Sequence, residues 1–421
     1  MVPPVGMPSF AGRSAIGRAT AVLTLTAMLA GCGSSLKSGA ATSTSGPPKS
    51  CPATVLDTLG RVLDRVYREG IFSERTAAAR HLIGASVPLR RAVEQGDAAA
   101  ANTAARELLA GGHMTNLRVI RGARTLVDIG GAALTPLKGA ITDASGKAIA
   151  SYVTSVWSDA GFVAEGQGVA EGLVALRANG ASIGGSFALP PGRLASEGTL
   201  TAGGVLYQLT SFPAEAFPSG PVTVYLLRPV SSTTALCGSG SEDTVVNTLS
   251  RVARLIYRGE AGKRTLTQIR RVQRDAPLLE AVARRDPVAT KLAVEALLSQ
   301  HIVRLRVSAG HTLLSDVGGP YVLAPVSAPL RVGRRTIGSF VLSIQDDEGY
   351  KRLAGRLAGL KVLMYMSSKL VKNSLGPSPG AVPASGHYSY RGHDFRVLTI
   401  NARAFPSGPL TIRVLIPIPY S

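Results

Sequence analysis

The stretch from His113 to Gly131, reading HMTNLRVIRGARTLVDIGG, occurs again as His301 to Gly319, reading HIVRLRVSAGHTLLSDVGG. His, Leu-Arg-Val, Gly122 with Gly310, Leu126 with Leu314, Asp and the paired glycines stay in register without a gap, and the Thr of Thr-Leu is shifted by one. The second copy follows the first by 188 residues, and the same step relates Phe217-Pro-Ser-Gly-Pro221 to Phe405-Pro-Ser-Gly-Pro409. Two distant landmarks with one offset mean a duplicated module rather than a short-period solenoid. A chain of 421 residues is then two modules, each long enough to build a core of its own. We place them at residues 51–230 and 237–421.

What precedes the first module reads as an address. Arg13 and Arg18 are followed by an apolar run from about Ala19 to Ala30, ending in Leu29-Ala30-Gly31-Cys32. A basic start, a short apolar run and small residues at the cut describe an export signal over residues 1–31. The run is too short for a comfortable membrane span. Its last four residues resemble the lipobox of bacterial lipoproteins. The resemblance implies that Cys32 becomes the lipidated first residue, held at the outer face of the cell membrane; the alternative is an ordinary signal peptide. Residues 32–50, rich in Gly, Ser, Thr and Ala, read as a flexible tether.

The formal charge is +20, spread over both halves. Outside the cell such charge suits acidic wall polymers, anionic lipid or anionic solutes rather than nucleic acid; a solvated basic face is the alternative. Besides Cys32 the chain has Cys51 and Cys237, each just before the first helix of a module. In an oxidising exterior this even pair suggests a Cys51–Cys237 disulfide; two free thiols are the alternative.

Each module has the same order of elements. Val55, Leu59, Val62, Leu63 and Val66 recur at the helical period, as do Val245, Val246, Leu249, Val252, Leu255 and Ile256. A second helical region follows, about 73–109 and 264–300, broken at Pro88 and Gly96-Asp97 and at Pro277 and Asp286-Pro287. Period two then takes over, with hairpins around Arg121-Gly122 and Ala309-Gly310. Paired strands come next, then a short helical excursion (158–171 and 346–357), then a strand meander closing on the Phe-Pro-Ser-Gly-Pro turn. Helices at one end of a mostly antiparallel sheet make an α+β fold.

This order resembles the Cache family, the PAS-like extracytoplasmic sensor domains of bacteria. The likeness is carried by Leu-Arg-Val, Thr-Leu, Asp and Gly-Gly, and by Phe340-Val-Leu-Ser-Ile-Gln-Asp-Asp-Glu-Gly-Tyr350 with its counterpart Tyr152-Val-Thr-Ser-Val-Trp-Ser-Asp-Ala-Gly-Phe162. It implies a small-molecule pocket on the inner face of each sheet, roofed by the helical excursion. The candidates there are Asp128, Tyr152, Trp157, Asp159 and Arg177 in module one. In module two they are Asp316, Ser343, Gln345, Asp347 and Tyr365. A pocket needs apolar walls and a few convergent polar groups, which such a set supplies.

Each candidate has a plainer reading. Trp157, the one Trp of the chain, suits core packing as well as a stacking wall. Asp128 and Asp316 precede Gly-Gly and suit turn caps. Asp346-Asp347-Glu348 suits a helix N-terminus better than a metal site. His113 and His301 suit a helix end better than a ligand contact. His387 and His393 have no acidic or thiol partners at metal-ligand spacing.

No Gly-x-Ser-x-Gly elbow, P-loop or His-Glu-x-x-His stands in the sequence. The expectation is therefore no enzyme and no cofactor, but a lipid-anchored module pair. It captures a small polar or anionic ligand and passes the ligand or a signal to a membrane partner. The alternative is a structural envelope protein whose basic surface binds acidic polymers or anionic lipid.

Overall fold

A computed structural model describes residues 49–112, 114–192, 194–258, 263–298 and 302–420. The export signal with Cys32, and both His113 and His301, lie outside the described residues.

Module one opens with α1 (Cys51–Phe72), whose stripe Val55, Leu59, Val62, Leu63 and Val66 is fully buried. Three short helices follow: α2 (Glu74–Ala85), α3 (Val87–Gln95) and α4 (Ala98–Ala110). Each starts on a side chain that accepts from its first-turn amides, namely Ser73, Ser86 and Asp97. Pro88 falls in the first turn of α3, where its missing N–H costs nothing. The strands are β1 (Asn116–Arg121), β2 (Arg124–Gly130), β3 (Ala133–Leu134), β4 (Leu137–Thr142), β5 (Ala148–Ser155) and β6 (Trp157–Ser158). After α5 (Asp159–Ala170) come β7 (Leu173–Ala178), β8 (Ala181–Gly185), β9 (Glu197–Ala202), β10 (Val205–Phe217) and β11 (Gly220–Pro229).

A short α6 (Val230–Thr234) leads into module two, which repeats the plan. Its helices are α7 (Ser241–Arg258), α8 (Lys263–Arg274), α9 (Ala276–Ala283) and α10 (Pro287–Leu298). Then come β12 (Arg304–Ala309), β13 (Thr312–Gly318), β14 (Val322–Leu323), β15 (Val326–Val332), β16 (Arg335–Ser343) and β17 (Gln345–Asp346). The chain closes with α11 (Asp347–Ala358), β18 (Lys361–Met366), β19 (Lys369–Asn373), β20 (Gly386–Tyr390), β21 (His393–Phe405) and β22 (Gly408–Ile418). This is the α+β, two-module arrangement, helices first and antiparallel strands after, in both halves.

Each module holds two sheets where the sequence suggested one. A four-stranded sheet runs β2-β1-β5-β4 and is repeated as β13-β12-β16-β15. A seven-stranded sheet runs β6-β3-β10-β11-β7-β8, with β9 added on β10; its copy is β17-β14-β21-β22-β18-β19, with β20 on β21. The small sheets are covered by the short helices. Ile83, Leu89 and Val93 pack on Leu117, Val119, Val127 and Ile141, while Leu278, Val282 and Val294 pack on Leu305, Val307, Phe340 and Leu342.

The large sheets share one core. Val174, Leu176, Val224 and Leu226 of module one join Val362, Met364, Ile412 and Val414 of module two through the helices between them. There α1 packs on α7, α1 on α11, and α5 on α7. Exchanging the modules turns the second of these contacts into the third, the self-complementary pattern of a two-fold dimer. The disulfide between Cys51 and Cys237 is formed, with a Cα–Cα distance of 5.7 Å, and ties the start of α1 to the approach to α7. Glu171 of module one reaches Arg251 of α7 at 2.5 Å, and Glu69 of α1 pairs with Arg356 of α11. Lys49–Ser421 is accordingly one compact unit. No described helix is long and apolar enough to cross a membrane.

Candidate functional site

Strand alternation gives each large sheet two faces. On β7, Val174, Leu176 and Ala178 face the shared core, so Ala175 and Arg177 face outward. On β11, Val222, Val224 and Leu226 face the core, so Thr223 and Tyr225 face outward, opposite Arg177 and Ala175 in register. The crossing from β8 to β9 lies over this outer face, with Phe187, Leu189 and Leu194 packed against Leu209, Tyr225 and Leu227.

An open cleft of about 720 Å³ remains on this face. Arg177, Tyr225, Thr223, Ser211 and Leu194 are among its lining residues. Arg177 is 6 % exposed. Its Nε and Nη2 donate to the Gly180 carbonyl of its own hairpin, at 2.9 and 2.5 Å. Its buried Nη1 has no partner among the described residues. A guanidinium N–H left unpaired beside an apolar wall is costly and favours an incoming acceptor oxygen.

No family model matches the chain, and no curated protein matches it in sequence. Among solved structures it is similar to the ligand-binding domain of the Pseudomonas fluorescens chemoreceptor CtaA, crystallised with L-isoleucine. The identity is 10 %, over 42 % of this chain and 95 % of that one, with a TM-score of 0.25. It is also similar to an extracellular ligand binding receptor from Desulfohalobium retbaense. That match has 11 % identity over 52 % of this chain and 47 % of that one, about half its length, with a TM-score of 0.23. Both overlaps are too loose to carry any residue across.

The expected pocket under the helical excursion is filled. Phe162 of α5 and Tyr350 of α11 are fully buried in the core between modules. A Cβ on Gly166 of α5 would stand 2.5 Å from Leu63 Cδ1 and 3.2 Å from Val174 Cγ2. The excursion is packed against Leu63 and Val174 of its own module, and α7 of the other module lies beside it.

The other candidates therefore scatter. Asp128 pairs across the small sheet with Arg118 at 2.8 Å, and that guanidinium lies 4.4 Å from the Phe217 ring. Asp316 pairs with Arg306 at 2.5 Å and with Arg304 at 2.8 Å, both over Phe405. Burial raises the Asp316 carboxyl, but the hydrogen bonds from the two arginines outweigh it and leave the pKa lowered. These are repeated cross-strand ion pairs, in place of the turn caps suggested by Gly-Gly. Tyr152 is a core residue of the small sheet, its phenol raised by burial. The Ser343 hydroxyl donates to the Leu323 carbonyl and bridges to Gln345, as Ser155 does to Leu134 and Trp157. It is consumed by the backbone.

Trp157 and Gln345 hold equivalent positions at the large-sheet edge, Trp157 half-buried between two cores and Gln345 buried with its Oε1 unpartnered. Asp159 and Asp347 open α5 and α11. Burial raises both carboxyls. Lys372 lies 3.5 Å from Asp347 and opposes the rise; its counterpart in module one is Gly184, and Asp159 Oδ1 has no partner among the described residues. Tyr365 is on the outer face of module two. Thus the structure brings Arg177 alone of the module-one candidates to the cleft.

The sequence reading missed Tyr225, Thr223 and, in module two, Arg413. The 188-residue register could have found them, because it sets Arg177 against Tyr365 and Tyr225 against Arg413. Among the described residues no group of three or more His, Cys, Asp or Glu could hold a metal.

Proposed function

We propose that this protein is an extracytoplasmic ligand-binding lipoprotein. Module one captures a small polar or anionic solute in the outer-face cleft and makes it available to a membrane partner. One observation carries the reading: the buried Arg177, with one N–H that has no partner among the described residues, borders a cleft of about 720 Å³. That volume suits a small ligand. The guanidinium supplies a charge-assisted contact to a carboxylate or carbonyl oxygen, and Tyr225 and Leu194 supply apolar wall. The lipobox at Cys32 and the tether after it support attachment to the outer face of the membrane through lipid.

A thermal-shift screen of carboxylates and short peptides tests this reading. Saturable stabilisation is expected, rising by about 2.7 kcal/mol at a hundredfold excess over Kd. It should be lost in Arg177→Gln and kept in Tyr365→Phe. Salt-sensitive adhesion to anionic polymers with no small-molecule shift would favour the structural reading instead.

A further inference from the structure

The outer face of module two differs from that of module one in a consistent way. Residues Ser374–Ala384 match Ser186–Ser196 in register, and the anchors at both ends are the same. Ser186 and Ser374 bond to Val174 and Val362, and Ser211 and Thr399 bond to the carbonyls of Ser196 and Ala384. Between these anchors the two segments part company. In module two Val382 is 3 % exposed and packs on Leu363, Phe395, Val397 and Leu415. Its carbonyl accepts from Arg413 Nη1. Tyr388 donates to the Pro379 carbonyl, and Tyr390 donates to the Pro377 carbonyl at 2.6 Å. The Arg413 guanidinium also stacks on Tyr365 at 4.6 Å.

Among the described residues module one has none of these three anchors. Positions 200 and 202, equivalent to the two tyrosines, hold Leu and Ala, which carry no donor. Position 225, equivalent to Arg413, holds Tyr. Leu194, equivalent to Val382, is half-buried and lines the cleft. The guanidinium stands one strand over, on Arg177 of β7, and keeps an N–H without a partner among the described residues.

We infer that the module-one cleft takes a short proline-bearing peptide segment, a backbone carbonyl of which accepts from Arg177 and a small apolar side chain of which packs against Tyr225. Module two is the same site closed on its own Pro-containing segment, residues 377–383, and binds nothing further. The inference rests on the reading that the cleft is a ligand site, and it names the ligand class. The segment in module two is the internal precedent: a proline-bearing stretch, turned at Ser378 and Gly380, offering carbonyls to an arginine and to two tyrosines, with a valine as its buried side chain.

The test is a titration of the protein with a synthetic peptide of residues 376–385, Gly-Pro-Ser-Pro-Gly-Ala-Val-Pro-Ala-Ser, followed by calorimetry. One saturable site per chain is expected. Loss of the charge-assisted bond in Arg177→Gln should weaken it by about tenfold or more. Leu194→Trp, which fills the cleft and leaves Arg177 in the chain, should abolish it and guards against misfolding of the first variant. Replacing the peptide's Val by Asp should weaken binding similarly. Two sites per chain, or binding indifferent to Leu194→Trp, would overturn the inference. If small carboxylates stabilise the protein through Arg177 while the peptide does not bind, the peptide assignment falls and the ligand-site reading stands. If neither binds, both fall.

Discussion

Arg413 lies with its guanidinium 4.6 Å from the centre of the Tyr365 ring, and 188 residues earlier the same two positions hold Tyr225 and Arg177. Cation and ring have exchanged strands between the modules. In module two the cation is spent on Val382. Arg413→Ala removes a cation–π contact and a charge-assisted bond, together worth about 1–3 kcal/mol. Amides of residues 377–385 should then exchange faster with solvent deuterium while those of β18 and β22 keep their protection. Uniform acceleration across the large sheet would show that the residue supports the sheet and not the segment.

The Asp159 carboxyl is pushed up by burial, and no counter-charge faces it among the described residues. A raised folded-state pKa means that the protonated form favours folding. The stability it contributes is present below the unfolded carboxylate pKa and is lost as pH rises through the folded one. Asp159→Asn should therefore stabilise the protein at pH 7 by about 1–2 kcal/mol. The gain should fade as pH falls through the acid range. Urea melts of both proteins at pH 7 and pH 4 measure this, and a gain that is equal at both would point to packing alone.

Glu171 behaves in the opposite sense. Its hydrogen bond with Arg251 across the module boundary lowers its pKa, against the effect of burial. The pair's stability is present above the ordinary carboxylate pKa and lost as pH falls through the lowered one. Arg228, largely buried, also reaches Glu171, at 3.5 Å. Glu171→Gln leaves these cations short of a partner and should cost about 2–4 kcal/mol at pH 7. The difference from the parent should shrink in acid.

Gly166 tests the density of the core between modules. Alanine in a helix is ordinarily better than glycine by about 0.5–1 kcal/mol. Here the added Cβ meets Leu63 and Val174. Gly166→Ala should lower stability by about 1–3 kcal/mol. Leu63→Ala in the same chain should restore part of it in a double-mutant cycle.

The disulfide closes a loop of nearly 190 residues, and cross-linking a long loop restrains the unfolded chain most. Mild reduction, or Cys51→Ser with Cys237→Ser, should cost about 2–5 kcal/mol in chemical denaturation. Thiol labelling of the native oxidised protein should find neither residue free.

The duplication was legible because the two copies kept their glycines, aspartates and apolar periods in register. With it came the helix breaks at Pro88 and Gly96-Asp97 and the hairpins at Arg121-Gly122 and Ala309-Gly310. The split into a small and a large sheet was not legible. A run such as Ala148–Ser155 reads identically whether the next strand continues its sheet or starts another. Strand β9, Glu197–Ala202, escaped because it is short, polar and sits on one partner only. Phe162 and Tyr350 could be read as apolar helix positions, but a helical period does not say whether the opposite wall is a ligand or a neighbouring module. Arg177 reads as a pocket residue from the resemblance, which implies the inner face. It lies on the outer one because β7 puts Leu176 toward the core.

The self-complementary packing of α1, α5, α7 and α11 is what a homodimer would use, written into one polypeptide. Two identical subunits must carry every substitution twice, so a residue that seals one site seals the other. Fusion lifts that constraint. The halves remain obliged to match along the seam, where neither can drift without the other, while their outward faces are free to specialise separately.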